Sequence, residues 1–81
     1  SPLFQNFVKN IKTLSPAERA VFNLYMKGYT AKEITEILCL SINTIKTHNK
    51  RIYAKLNVSS RKELLLYVRL IQEQEGAPPQ D

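Results

Sequence analysis

The 81-residue chain has one cysteine, one histidine, no tryptophan, two glycines and four prolines. Each scarcity excludes something. A lone Cys39 cannot close an internal disulfide and fits a reducing compartment. With one His and one Cys there is no metal-ligand set, and no paired carboxylates or nucleophile-base pair stand out, so no metal, cofactor or enzymatic activity is expected. So little Gly and Pro in the middle of the chain argues against a sandwich or barrel with many turns. No apolar run approaches the roughly 20 residues of a membrane span, and the start lacks the charged and apolar regions of a signal peptide. The expectation is a cytoplasmic protein with no membrane partner. Because it begins Ser1-Pro2 without Met, it is also expected to be an excised part of something longer.

What is present is positive charge. Twelve Lys and Arg against seven Asp and Glu give a net charge of +5 and a pI of about 9.6, a balance that suits nucleic acid or an anionic surface. A chain this short makes at most one domain and buries only about 60% of the surface it exposes when unfolded.

Helix signals recur along it. In residues 2–12, Leu3, Phe4, Phe7, Val8 and Ile11 fall at intervals of three and four, predicting a short amphipathic linker helix. "SPAE" at 15–18 is a helix start, with Ser15 as N-cap, Pro16 at the first position and Glu18 closing a capping box. That helix should run to about Lys27, with Ala17, Val21, Leu24 and Tyr25 on one face and Gly28 as its left-handed stop. "TAKE" at 30–33 repeats the device through Thr30 and Glu33, opening a helix of about eight residues with Ile34, Ile37 and Leu38 inward. Ser41 caps another, from Ile42 to about Leu56, and the short link between the two reads as a helix-turn-helix. Asn57 is a plausible left-handed stop. A last helix, capped by Ser59 or Ser60, runs to about Glu73 with Leu64, Val68 and Ile71 inward, and the tail "EGAPPQD" is expected to be disordered. The prediction is therefore all-α: a compact four-helix bundle containing a helix-turn-helix, plus the linker helix. Its divisions are 1–13 (linker helix), 14–73 (domain) and 74–81 (tail).

On a helical wheel of residues 42–56, Ile45, Ile52 and Leu56 fall within about 40° of one another, flanked by Ile42 and Tyr53 on one side and His48 on the other. Asn43, Thr47, Lys50 and Ala54 occupy the opposite pole, with Lys46 and Arg51 beside them. Between Cys39 and Lys62 there is no Asp or Glu, whereas an ordinary solvated helix mixes both signs. A narrow, basic, acid-free face suits the major groove, where Lys donates to guanine, Asn pairs with adenine and a Thr methyl meets a thymine methyl. The helix starts at Thr30 and Ser41, with Lys32 nearby, suit phosphate oxygens.

The segments "LSPAERAVFNLYMKGYTAKEI" and "LCLSINTIKTHNKRIYAKLNVSSRKEL" resemble the LuxR/FixJ-type helix-turn-helix DNA-binding domain of bacterial transcription regulators, from Leu14 to about Val68. The resemblance implies sequence-specific binding of double-stranded DNA for transcription regulation, as the output part of a response regulator among other forms. It implies base contacts from Lys46, Thr47 and Lys50, joined by Asn43 from the wheel. It places Thr44, Lys32 and the Ser41 cap near phosphates, where Thr30, Arg51 and Lys55 are also expected. His48 is expected to be a packed, hydrogen-bonded residue. The last helix resembles the family's pairing surface, making Leu65, Leu66 and Arg69 the dimer candidates on an inverted-repeat operator, with RNA polymerase as a further partner.

Four positions depart from the family pattern. Ala17 replaces a basic residue, Thr35 an Ala in the helix crossing, and Cys39 a Gly in the turn. Asn49 stands where an apolar side chain is usual and needs a hydrogen-bond partner if buried, because an unpaired amide costs roughly 1 to 3 kcal/mol. Two other readings compete: a sigma region-4-like promoter-reading module, and a helical protein-interaction module docking through Leu64 to Ile71.

Overall fold

The computed structural model describes residues 2–74 as five helices and no strand among them: α1 (Pro2–Ile11), α2 (Pro16–Met26), α3 (Ala31–Leu38), α4 (Ile42–Leu56) and α5 (Arg61–Gln74). The tail expected to be disordered lies outside the described residues, except that α5 continues to Gln74. None of these helices is long and apolar enough to cross a membrane.

The helix starts follow the local chemistry. Ser15 Oγ accepts the Glu18 N–H while the Glu18 carboxylate accepts the Ser15 N–H, and Thr30 and Glu33 do the same. At α5 the two serines share the work: Ser60 Oγ accepts the Glu63 N–H, and the Glu63 carboxylate accepts from the Ser59 N–H and hydroxyl. Those bonds hold the Glu63 carboxyl below its ordinary pKa.

Three helices end alike. Gly28, Cys39 and Asn57 adopt φ of 96°, 55° and 58°, and the next residue's N–H returns to a carbonyl five positions earlier: Tyr29 to Leu24, Leu40 to Thr35, Val58 to Tyr53.

The core is built on α4, which packs against α1, α2 and α3. Ile45, Ile52 and Leu56 from α4 meet Val21, Phe22 and Tyr25 from α2, Ile34 from α3, and Leu64, Val68 and Ile71 from α5. Phe7 brings α1 into this core; it is 1% exposed, stacks on Tyr67 at 4.5 Å and tilts against Phe22 at 6.4 Å.

Several expected inward residues are not inward. Ala17 is exposed, because the core face of α2 is centred on Val21, Tyr25 and Phe22 and takes Glu18 with it. Ile37 is 46% exposed, lying about 90° from the centre of the α3 stripe defined by Ile34, Leu38 and Ala31. In α1 the apolar pattern is wider than its buried part: Leu3 and Val8, at its two edges, are exposed.

Glu18 is 3% exposed, yet charged. Its Oε1 accepts from Lys55 Nζ at 2.7 Å and from the Ser15 N–H at 2.9 Å, linking the start of α2 to the end of α4. The Lys55 hydrogen bond, followed by the Ser15 N–H, lowers its pKa against the opposing effect of burial. A lowered folded-state pKa means the stabilisation is complete above the unfolded value of about 4.3 and is lost as pH falls through that value and then the folded one. Glu18→Gln should therefore cost about 1 to 2 kcal/mol at neutral pH, the lower end because Lys55 is partly exposed and can resolvate. Denaturant titrations from pH 7 to pH 3 should show a shallower acid loss in the variant than in the wild type; parallel curves would contradict this assignment.

Candidate nucleic-acid interface

The turn Cys39–Leu40–Ser41 sets α4 across α3, and α4 presents its polar side to solvent. Asn43, Lys46, Thr47, Lys50, Arg51 and Ala54 are all exposed. Lys46, Lys50 and Arg51 pair with no carboxylate among the described residues, so their charge is free. Thr47 Oγ1 donates to the Asn43 carbonyl at 3.1 Å, fixing its rotamer on this face.

At the start of α4, Ser41 Oγ accepts the Thr44 N–H at 3.1 Å and lies 3.0 Å from Thr44 Oγ1. Thr44 occupies the position that Glu takes in α2 and α3, so α4 has no acid in its first turn. Its positive dipole end is left unneutralised. The start of α3 differs: the Glu33 carboxylate occupies the Thr30 N–H, leaving the Thr30 hydroxyl hydrogen and the exposed Lys32 as the groups available there.

Lys55 stands apart from the other cations. Its ammonium is held on Glu18, so it is a fold contact first, and the charge it would bring to a phosphate is already balanced. Sequence spacing offered no sign of this, because the partners are 37 positions apart.

Asn49 has the partner it requires: its Oδ1 accepts from Tyr25 Oη at 3.0 Å. Burial raises the Tyr25 pKa, keeping the donor protonated, and the Arg61 guanidinium lies 5.7 Å from the ring centroid. The pair locks the middle of α4 to α2. Thr35 resolves its own departure by donating its hydroxyl to the Lys32 carbonyl. His48 is packed but, against expectation, its buried Nδ1 has no hydrogen-bond partner among the described residues. Ile42, expected on the flank of the core, is 45% exposed at the first turn of α4 and adds an apolar group to the outer surface.

The dimer candidates divide. Leu66 and Arg69 are exposed on the outer side of α5, while Leu65 is half-buried beside Tyr25, Met26 and Gly28 at the end of α2. Among the described residues no group of three or more His, Cys, Asp and Glu is placed to hold a metal.

An eight-residue helix, a three-residue turn and a fifteen-residue helix with a free basic face make a helix-turn-helix unit. The model of the bacterial regulatory proteins, luxR family, matches residues 12–68, and the chain belongs to that family. Its unit is thus the helix-turn-helix DNA-binding domain of a transcription regulator. The chain is 41% identical over 56 residues to oxygen regulatory protein NreC of Staphylococcus epidermidis, covering 69% of this chain and 26% of that protein. It is 38% identical over 61 residues to transcriptional activator protein BglJ of Escherichia coli K12, covering 75% and 27% respectively. The chain thus spans about a quarter of the length of these curated relatives. No solved structure matches it significantly.

Cys39 explains why glycine is usual in this turn. A side chain in the left-handed region costs about 1 to 2 kcal/mol, and glycine's extra unfolded-state entropy offsets part of the relief. Cys39→Gly should raise stability by roughly 0.5 to 1 kcal/mol in urea unfolding. An unchanged or lower midpoint would show that the turn carries no such strain.

Proposed function

We propose that the chain is the DNA-reading part of a longer transcription regulator, that α4 enters the major groove, and that two copies bind an inverted-repeat operator. The observation that carries this is the outer face of α4, where Lys46, Lys50 and Arg51 pair with no carboxylate among the described residues. Lys46, Thr47, Lys50 and Asn43 meet base edges; Ser41, Thr44, Arg51, Thr30 and Lys32 meet phosphates on either side. Lys55 contributes to phosphate binding only secondarily, through the position it holds at Glu18. The role is binding without catalysis. Regulation of transcription is supported by the relative named as a transcriptional activator, and contact with RNA polymerase would follow from that kind of action.

Selection of bound duplexes from a random library at near-physiological salt tests the reading directly. Enrichment of two half-sites about one helical turn apart is expected. Binding without enrichment would leave only a grip on phosphates.

Lys46→Ala and Lys50→Ala should each weaken the selected site by about 1 to 3 kcal/mol and relax preference at one base pair, while Lys32→Ala should weaken all sequences alike and lower the salt slope by about one. Titrations at several salt concentrations separate the two patterns.

Exposed Ile42 meets a thymine methyl in this geometry. Replacing single thymines of the half-site with uracil should weaken the wild type about fourfold at one position where Ile42→Ala is indifferent, the worth of one buried methyl. If no position behaves this way in fluorescence-anisotropy titrations, Ile42 lies off the bases.

A further inference from the structure

Half-buried Asn49 stands where the family prefers an apolar side chain, and its amide is only half used. Its Oδ1 accepts from the Tyr25 hydroxyl at 3.0 Å, while its Nδ2 donates to nothing among the described residues. The one buried side-chain nitrogen or oxygen without a partner among those residues is His48 Nδ1, so the Asn49 nitrogen, equally without one, reaches the surface. The hydroxyl of Tyr53, one turn further along α4, is likewise unpartnered and open. Burial raises the Tyr53 pKa and keeps that hydroxyl a donor. Arg61, at the start of α5, completes the group. Its guanidinium carbon lies 5.7 Å from the centroid of the Tyr25 ring, its charge acts on both tyrosines, and it pairs with no carboxylate among the described residues. Glu63, the acid nearest to it in sequence, is occupied by the Ser59 N–H and hydroxyl.

We propose that Asn49, Tyr53 and Arg61 form a site for one backbone phosphate of the duplex, on the flank of α4 opposite Thr44 and Arg51. The inference rests on, and deepens, the major-groove reading above. A helix in that groove has a phosphate strand on each side. On the α4 wheel, Asn49 and Tyr53 lie about 40° and 80° from the core stripe in one sense, and Thr44 and Arg51 about 100° and 120° in the other. Each strand thus meets its own side of the helix. Three donors from two helices, one of them fully charged, suit a singly charged phosphodiester. Tyr25 is the positioning residue: its hydroxyl turns the amide nitrogen outward, and its ring face carries the guanidinium. An apolar side chain at position 49 has no donor to give, so this part of the site belongs to the chain's departure from its family.

Fluorescence-anisotropy titrations of duplexes in which one phosphate at a time is a neutral methylphosphonate test this, with urea unfolding to verify the fold of each variant. Arg61→Met keeps an unbranched chain over Tyr25 and should lower the slope of affinity against salt by about one. Asn49→Leu combined with Tyr25→Phe removes amide and hydroxyl together, so no buried group is orphaned and the fold is kept. That double variant should bind the unmodified duplex about tenfold more weakly with the salt slope unchanged, because a neutral amide displaces no counterion. Tyr25→Phe alone leaves the amide free to turn and should show part of the same loss. At one phosphate of the half-site, the methylphosphonate should abolish the difference between wild type and each variant. A double variant that binds like the wild type makes the Tyr25–Asn49 bond a packing contact and overturns the inference. So does a series with no phosphate at which the variants lose their effects together. The two readings fail separately. Sequence preference retained while Arg61→Met and the double variant both bind like wild type removes the phosphate site alone; losses that persist on every duplex without any sequence preference remove the operator reading alone.

Discussion

The Glu18 carboxylate holds the molecule together at the point where it matters for α4. One oxygen closes the first turn of α2 through the Ser15 N–H and anchors the last turn of α4 through Lys55. A buried carboxylate without such partners would be strongly destabilising, so the position of α4 relative to α2 is over-determined at this end. Tyr25 and Asn49 repeat the link one and a half turns earlier on α4, with a neutral pair in place of a charged one. Between these two ties packs the inward Ile52, with Leu56 just beyond Lys55, and the direction of the outward side chains follows.

The helix-turn-helix depends equally on how its helices stop. Gly28, Cys39 and Asn57 turn the chain with the same left-handed residue and the same returning N–H, so each helix ends within one residue of a fixed point. Gly and Asn tolerate that conformation well; Cys39 does not, and the Thr35 carbonyl that receives two N–H groups there keeps it in place. The short turn fixes the approach of α3 to α4.

Much of this was legible in the residues, and what was not has a physical pattern. Caps are local, so Ser15, Thr30 and Ser41 announced their helices, and the span Ile42–Leu56 follows from Ser41 and Asn57 alone. Periodicity locates each apolar stripe but not how much of it a neighbour covers, which is why Ala17 and Ile37, at stripe edges, are exposed although their faces read as inward. The same uncertainty hid the exposure of Ile42. Asn49 declared its need for a partner without naming Tyr25. Lys55 looked like every other lysine of α4 because its neutralisation by Glu18 is a tertiary fact.

The bond from the Thr47 hydroxyl to the Asn43 carbonyl has a consequence for what α4 can say to a surface it meets. With its hydrogen turned back into the helix, Thr47 offers outward only a methyl and oxygen lone pairs. A residue that composition counts as polar thus behaves as a hydrocarbon with a weak acceptor, close in shape and meaning to valine. The vocabulary of the face is narrower than its letters imply: hydrogen-bond donation is left to Lys46, Lys50, Arg51 and the Asn43 amide, surrounding one small patch of oil.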